Sequence, residues 1–156
     1  MLADAPEIAE MTLSIPHPYP PGAAEGWIST HAARWEQEEG LDLAIERRDD
    51  GVLMGAIGLV VQPEHSRAAL GYWIGVPYWG QGYATEAGRE VVRYAFDELG
   101  LNRVYAFHFT RNPASGRVLQ KIGMVYEGVR RAHTLKGSEY LDDEAYGILR
   151  DDHPDG

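Results

Sequence analysis

The run Gly71-Tyr72-Trp73-Ile74-Gly75-Val76-Pro77-Tyr78-Trp79-Gly80-Gln81-Gly82-Tyr83-Ala84-Thr85-Glu86-Ala87 leaves the chain few folds to choose from. An apolar strand stops at a proline, a glycine-spaced turn follows, and a helical pattern starts at once. The first N–H groups of a helix have no internal partner, and the helix dipole places partial positive charge there. Gly80 and Gly82 carry no Cβ, so backbone at this turn can approach an anion closely. The same glycines also suit a plain tight turn. A Walker loop would need Gly-Lys-Ser/Thr, which is absent, and the third glycine of a dinucleotide fingerprint is missing.

The elements around this run read as one mixed domain over residues 1–150, with a polar tail, 151–156, that is expected to fray. Residues 15–22 hold four prolines and form a loop bearing His17 and Tyr19. Trp27, Ile28, His31 and Trp35 recur at helical spacing, which predicts one helix over residues 23–38. Aromatics eight apart on a helix fit a core-facing stripe as well as an acceptor pocket. Residues 41–46, 52–61 and 68–76 read as an antiparallel meander, its first turn at Asp49-Asp50-Gly51. The helix after the glycine turn carries Ala84, Ala87, Val91, Ala95 and Leu99 on one face and stops at Gly100. Residues 103–109 form a fourth strand. Asn112-Pro113-Ala114-Ser115 opens a short helix ending near Gly123, and residues 124–128 and 145–149 are the last strands.

Composition narrows the function classes. The formal charge is −10, which argues against non-specific nucleic-acid binding and would steer a cationic partner favourably. The apolar run over residues 52–61 is too short to cross a membrane. The chain has no cysteine, so thiolate metal sites and a cysteine nucleophile are excluded; no metal is expected. The acidic start lacks a secretory pattern, and a reducing, cytoplasmic setting is expected.

After the glycine turn comes Asn112-x-x-Ser115-x-x-x-Leu119-x-Lys121-x-Gly123-Met124, then Gly128 and Asp142-x-x-x-Tyr146. With Gly71-Tyr72-Trp73-Ile74-Gly75 and the glycine turn, these pieces stand in the order and spacing of the GNAT N-acetyltransferases. The chain resembles that family over roughly residues 12–150, and within it the Rim-type ribosomal-protein acetyltransferases. The resemblance implies an α/β (α+β) fold: a mixed, largely antiparallel sheet whose two central strands splay apart between helices. It implies acetyl-coenzyme A as co-substrate and an amine acceptor, a small molecule or a protein N-terminus. Pyrophosphate would lie on Gly80, Gln81, Gly82, Tyr83, Ala84 and Thr85. Pantetheine would run along Ile74, Gly75 and Val76, with a backbone N–H near Ile74 or Gly75 facing the thioester oxygen. Asn112 would hold the pantetheine, although an asparagine before a proline-led helix also reads as an ordinary cap.

Acetyl transfer needs a neutral amine, a stabilised oxyanion and a proton for the leaving thiolate. The resemblance puts the usual tyrosine acid at Leu119, where it is missing. Ser115 lies one turn earlier on the same face and resembles the serine given this role in the Rim-type branch; its other reading is a small residue packing against the cofactor, since serine at a helix start usually serves local backbone bonds. The usual strand glutamate falls at Ala69. His133, on a late strand, is the candidate base, with His108 behind it and a water chain as a further route. His17, Tyr19, Trp27, Tyr72 and Trp73 are candidates for the acceptor side, where aromatic rings could grip a cation. The chain starts partway through the family's first helix, without its first strand. The sheet edge so exposed could be covered by a partner subunit, as in a homodimer. A non-catalytic acyl-coenzyme A-binding module is the competing expectation.

Overall fold

The computed structural model describes residues 1–153, and six strands form one sheet in the order β1-β2-β3-β4-β6-β5. The strands are β1 (Gly40–Glu46), β2 (Leu53–Gln62), β3 (Arg67–Ile74), β4 (Arg103–Phe109), β5 (Val125–Lys136) and β6 (Glu139–Leu149). The helices are α1 (Pro6–Met11), α2 (Ala23–Ile28), α3 (His31–Glu36), α4 (Tyr83–Asp97) and α5 (Pro113–Ile122). β1, β2 and β3 form the expected antiparallel meander. Gly51 makes its first turn with φ of 68°, a conformation glycine adopts without penalty.

β3 and β4 are the only parallel neighbours in this sheet, and they pair over just three positions: Arg67 with Arg103, Ala68 with Val104, and Ala69 with Tyr105. Beyond these, β3 runs on to Ile74 and β4 to Phe109 without meeting. A parallel pair needs a crossover, and α4 supplies it. Its buried residues, Gly88, Val91, Val92, Ala95 and Phe96, repeat at helical spacing and pack on β2, β3 and β4. α5 lies beside α4 on the same face. A Cβ at Gly88 would collide with the Ile122 side chain, so glycine permits the close approach. Leu59, Ala68, Val92, Val104, Leu119 and Ile148 fill the core between sheet and helices. The expected splayed α/β architecture is therefore present.

Three expectations need correction. The helix over residues 23–38 is two short helices, α2 and α3. The hydroxyls of Ser29 and Thr30 bond back to the carbonyls of Gly26 (2.7 Å) and Trp27 (2.8 Å), offering the backbone an alternative to helix continuation. Trp27 and Trp35 are consequently not core residues; they are 41% and 46% exposed. The last strands are far longer than residues 124–128 and 145–149, because β5 and β6 form a hairpin closed by Gly137 at φ 61°. A β-bulge between Arg130 and Thr134 breaks its register. Of the tail expected to fray, Asp151 and Asp152 belong to a 3-10 turn, Arg150–Asp152, and residues 154–156 lie outside the described residues.

The N-terminal segment is fastened to the far end of this hairpin. The Lys136 ammonium donates to the carbonyls of Ala9, Glu10 (3.1 Å) and Thr12 (2.5 Å), which satisfies the open end of α1. Arg111 also reaches the Glu10 carbonyl, at 3.1 Å. Desolvation holds the Lys136 ammonium below the usual lysine range, opposed by Glu10 and Glu139. Lys136→Met keeps the stem and removes these bonds. It should cost about 1–2 kcal/mol, on the scale of charged hydrogen bonds to backbone, and lower the melting temperature by about 2–8 °C. Arg93→Ala, at an exposed ion pair, should change stability by less than about 0.5 kcal/mol in the same thermal melts.

Candidate active site

The glycine turn is built as an open cradle. Gly80 and Gly82 have φ of 71° and 87°, and a Cβ added at either would meet nothing within 4 Å. The open space beside them is therefore on the outside of the turn, where a ligand could come close. Glu86 makes the first helical bond, to the Gly82 carbonyl at 3.0 Å, so the N–H groups of Tyr83, Ala84 and Thr85 have no partner within α4. Gln81 folds its amide back onto the Pro77 carbonyl at 3.1 Å, stiffening the turn. The residues present thus fit a pyrophosphate held by backbone donors. A groove continues from Gly82 past Thr85 and Glu86 to Arg89 and Lys121.

Where β3 leaves β4, its outer edge is bare. The Gly75 N–H donates to the Met54 carbonyl at 2.7 Å, which spends it on β2. Gly75 is therefore no donor for a thioester oxygen, contrary to the sequence expectation. The antiparallel ladder alternates, so Ile74 turns its N–H and carbonyl to the opposite side, into the splay. Trp79 takes that carbonyl with its indole N–H at 2.7 Å. Of the two residues expected to face the thioester, Ile74 keeps a backbone N–H directed into the gap. Val76 lies in the 3-10 turn Val76–Tyr78 that leads to the cradle.

Across the gap, α5 opens at Asn112. Its side chain makes no capping hydrogen bond, so the plain cap reading does not hold. Ser115, one turn in, brings its Oγ to 2.6 Å from the Tyr72 hydroxyl. Tyr72 belongs to the separated half of β3, so this contact joins the two walls of the splay. Burial pushes the Tyr72 hydroxyl up to about 12, and the Ser115 hydrogen bond only partly offsets this. Leu119, at the position of the missing tyrosine, is fully enclosed in the core.

The acceptor-side candidates do not converge. Tyr72 and Trp73 are consecutive on β3 and point to opposite faces of the sheet. The loop with His17 and Tyr19 is organised by Asp4, whose carboxylate accepts the Tyr19 N–H at 2.6 Å and lies 3.2 Å from His17 Nδ1. The Tyr19 N–H holds that carboxyl below its usual range. Trp27 packs edge-on against His31 at 4.3 Å. His133 stands exposed in the β5 bulge, whose Ala132 N–H is pinned by Asp142 at 2.6 Å. No contact joins it to Ser115 among the described residues. His108 is enclosed under α5 beside Glu144. The sequence singled out Tyr72 and Ser115 separately; their pairing over 43 positions had no local signal. Glu144 was not singled out. Its only cue is alternation with Tyr146 on one strand.

Known proteins share the sequence pattern and the fold. The model of the acetyltransferase (GNAT) domain matches residues 1–125. The N-acetyltransferase YoaA of Bacillus subtilis, itself uncharacterized, is 40% identical over 124 residues, 79% of this chain and 70% of that protein. A Bacillus subtilis protein named "Putative ribosomal N-acetyltransferase YdaF" is 35% identical over 102 residues, 65% of this chain and 56% of its own. The crystal structure of spermidine N-acetyltransferase from Vibrio cholerae, with CoA and spermine, superposes with a TM-score of 0.80. It covers 97% of this chain and 87% of its own at 19% identity, a likeness of fold. A chain with this sheet, matched by that domain model over most of its length, belongs to the GNAT family of acetyl-CoA-dependent acetyltransferases.

Proposed function

We propose that this enzyme moves an acetyl group from acetyl-coenzyme A to a primary amine by direct attack, with both substrates bound together. The observation that carries the reading is the Tyr72–Ser115 hydroxyl pair at 2.6 Å, set where β3 and β4 have parted. The amine nitrogen bonds to the thioester carbonyl carbon, the C–S bond breaks, and the sulfur takes a proton from Ser115. Tyr72 hands its own proton to Ser115, and the proton lost by the amine restores the balance through solvent. Ile74 N–H faces the developing oxyanion. Asn112, free of a capping bond, is available to the pantetheine amides, and the cradle from Gly80 to Thr85 takes the pyrophosphate.

The acceptor is a cationic amine before it loses its proton. The formal charge of −10 favours its approach, and a Vibrio cholerae neighbour of the same fold is solved with spermine. Protein N-termini remain the alternative acceptor, in keeping with the named kinship to YdaF. For the base we carry His133, exposed on the bulge at the end of the sheet.

Thiol release from acetyl-coenzyme A with a panel of polyamines, amino acids and short peptides tests the reaction. Tight coenzyme A binding without turnover on any amine would reduce the chain to a binding module. Gly82→Ala places a methyl where φ is 87°, straining the turn and crowding the cradle. It should weaken coenzyme A binding by about 5- to 30-fold in calorimetry, because the free turn relaxes out of a strained conformation costing about 1–2 kcal/mol and must regain it on binding.

Ser115→Ala should lower kcat by about 100-fold, the scale of a lost general acid, while coenzyme A affinity holds within about twofold. Tyr72→Phe should lose about tenfold. Because Tyr72 is pushed up to about 12, its hydroxyl keeps its proton throughout an assay range below about pH 10. The wild-type kcat profile should therefore show no alkaline fall there. A fall that disappears in Tyr72→Phe would contradict the assignment.

His133→Ala should lower kcat/KM by at least about tenfold. A rate within about twofold of wild type gives the deprotonation to water instead.

A further inference from the structure

His108 is buried with its side chain 2% exposed, on β4 in the half that has parted from β3. Its Nδ1 lies 2.8 Å from the Phe109 carbonyl. Its Nε2 lies 3.0 Å from Glu144 Oε2, at an angle too oblique for a well-directed hydrogen bond, and has no other hydrogen-bond partner. Both ring nitrogens thus face acceptors. Glu144 sits opposite His108 in the β4–β6 register and is 30% exposed, at the rim of the enclosed region.

α5 rests directly on this ring. A Cβ at Gly116 would come within 2.7 Å of His108 Nε2 and 3.0 Å of the Tyr146 hydroxyl. Only glycine lets the helix sit so low. The Tyr146 ring lies 5.7 Å from His108. An enclosed polar pair is a costly floor for a helix, since apolar side chains of equal volume would pack there without desolvation. What the pair adds is direction. The Phe109 carbonyl orients the imidazole through Nδ1, the carboxylate 3.0 Å from Nε2 draws the ring towards its own strand, and the imidazole edge supports the first turn of α5. Ser115 is the next residue on that turn. Its 2.6 Å bond to Tyr72 would not survive a displacement of an ångström.

We propose that His108 and Glu144 form a positioning pair that sets the first turn of α5, so that the Ser115 hydroxyl meets Tyr72. The inference rests on the role given above to Ser115, and its test keeps the two apart. Glu144→Gln preserves shape at a half-exposed site and removes the charge. It should lower kcat about tenfold, with the KM for acetyl-coenzyme A and calorimetric coenzyme A affinity within about twofold. The double variant Ser115→Ala/Glu144→Gln should lose no more than Ser115→Ala alone, because both act through one hydroxyl. His108→Gln keeps a donor near the Nε2 position and should recover most of the rate. His108→Asn keeps one only near Nδ1 and should behave as Glu144→Gln does. Amide resonances of Ser115 and Gly116 should shift in Glu144→Gln and stay fixed in the exposed control Glu98→Gln.

Additive losses in the double variant, or unmoved Ser115 and Gly116 resonances, overturn the positioning pair. A Ser115→Ala enzyme of unchanged rate overturns the acid role instead. The resonances then still report whether the pair sets the turn.

Discussion

Everything at this site depends on β3 and β4 separating after three paired positions. Backbone groups left unpaired inside a sheet are costly, so the gap has to be enforced from outside. β3 is held along β2 from Arg67 to Ile74, and β4 is held along β6 from Arg103 to Phe109. Each wall is thus a complete ladder on its far side, and neither can swing across to close the gap without giving up that ladder. α4 packs across β2, β3 and β4, and α5 packs on α4 and β4. The result is a rigid slot lined with backbone donors and acceptors, which a long, thin amide-bearing ligand can fill as a missing strand.

The local parts of this arrangement are legible in the sequence because their causes are local. Gly80, Gly82, Gly100, Gly123 and Pro113 mark helix ends through the backbone conformations they allow or forbid. The meander follows from alternation and from Asp50-Gly51. The β5–β6 hairpin was hidden because much of it is charged and exposed, with Arg130, Arg131, His133 and Lys136 masking the period of two. Its turn, Gly137-Ser138, was the one cue. The break in the helix after the proline loop is masked for a related reason: the helical spacing of the aromatics runs on across Ser29 and Thr30, whose hydroxyls turn back to the backbone. The splay itself leaves no mark in periodicity, since both strands read alike whether they pair or part. It came only with the family resemblance. Contacts such as Tyr72 with Ser115 and His108 with Glu144 depend on register between distant strands, which no single stretch of chain encodes.

The Tyr72 hydroxyl spans the slot's two walls at its chemically useful end, 3.4 Å from the Ser115 carbonyl and 2.6 Å from Ser115 Oγ, and the direction of the shorter bond matters. Either hydroxyl could donate in the Tyr72–Ser115 pair. If Ser115 donated to Tyr72, its proton would point away from the slot and serve nothing there. A phenol is the stronger acid of the two and hence the better donor. Burial pushes Tyr72 up to about 12, so at neutral pH the phenol keeps its proton and stays a donor. In the proposed relay Tyr72 gives to Ser115 Oγ, which leaves the Ser115 proton free to face the slot. An aliphatic hydroxyl alone is a poor acid toward a departing thiolate. One that receives a hydrogen bond as it gives up its proton is a better one, because negative charge forming on Oγ is met by the phenol. The chain lacks both a cysteine and a tyrosine at position 119. With Leu119 sealed in the core, the proposed delivery of a proton from α5 rests on the hydroxyls of Ser115 and Tyr72.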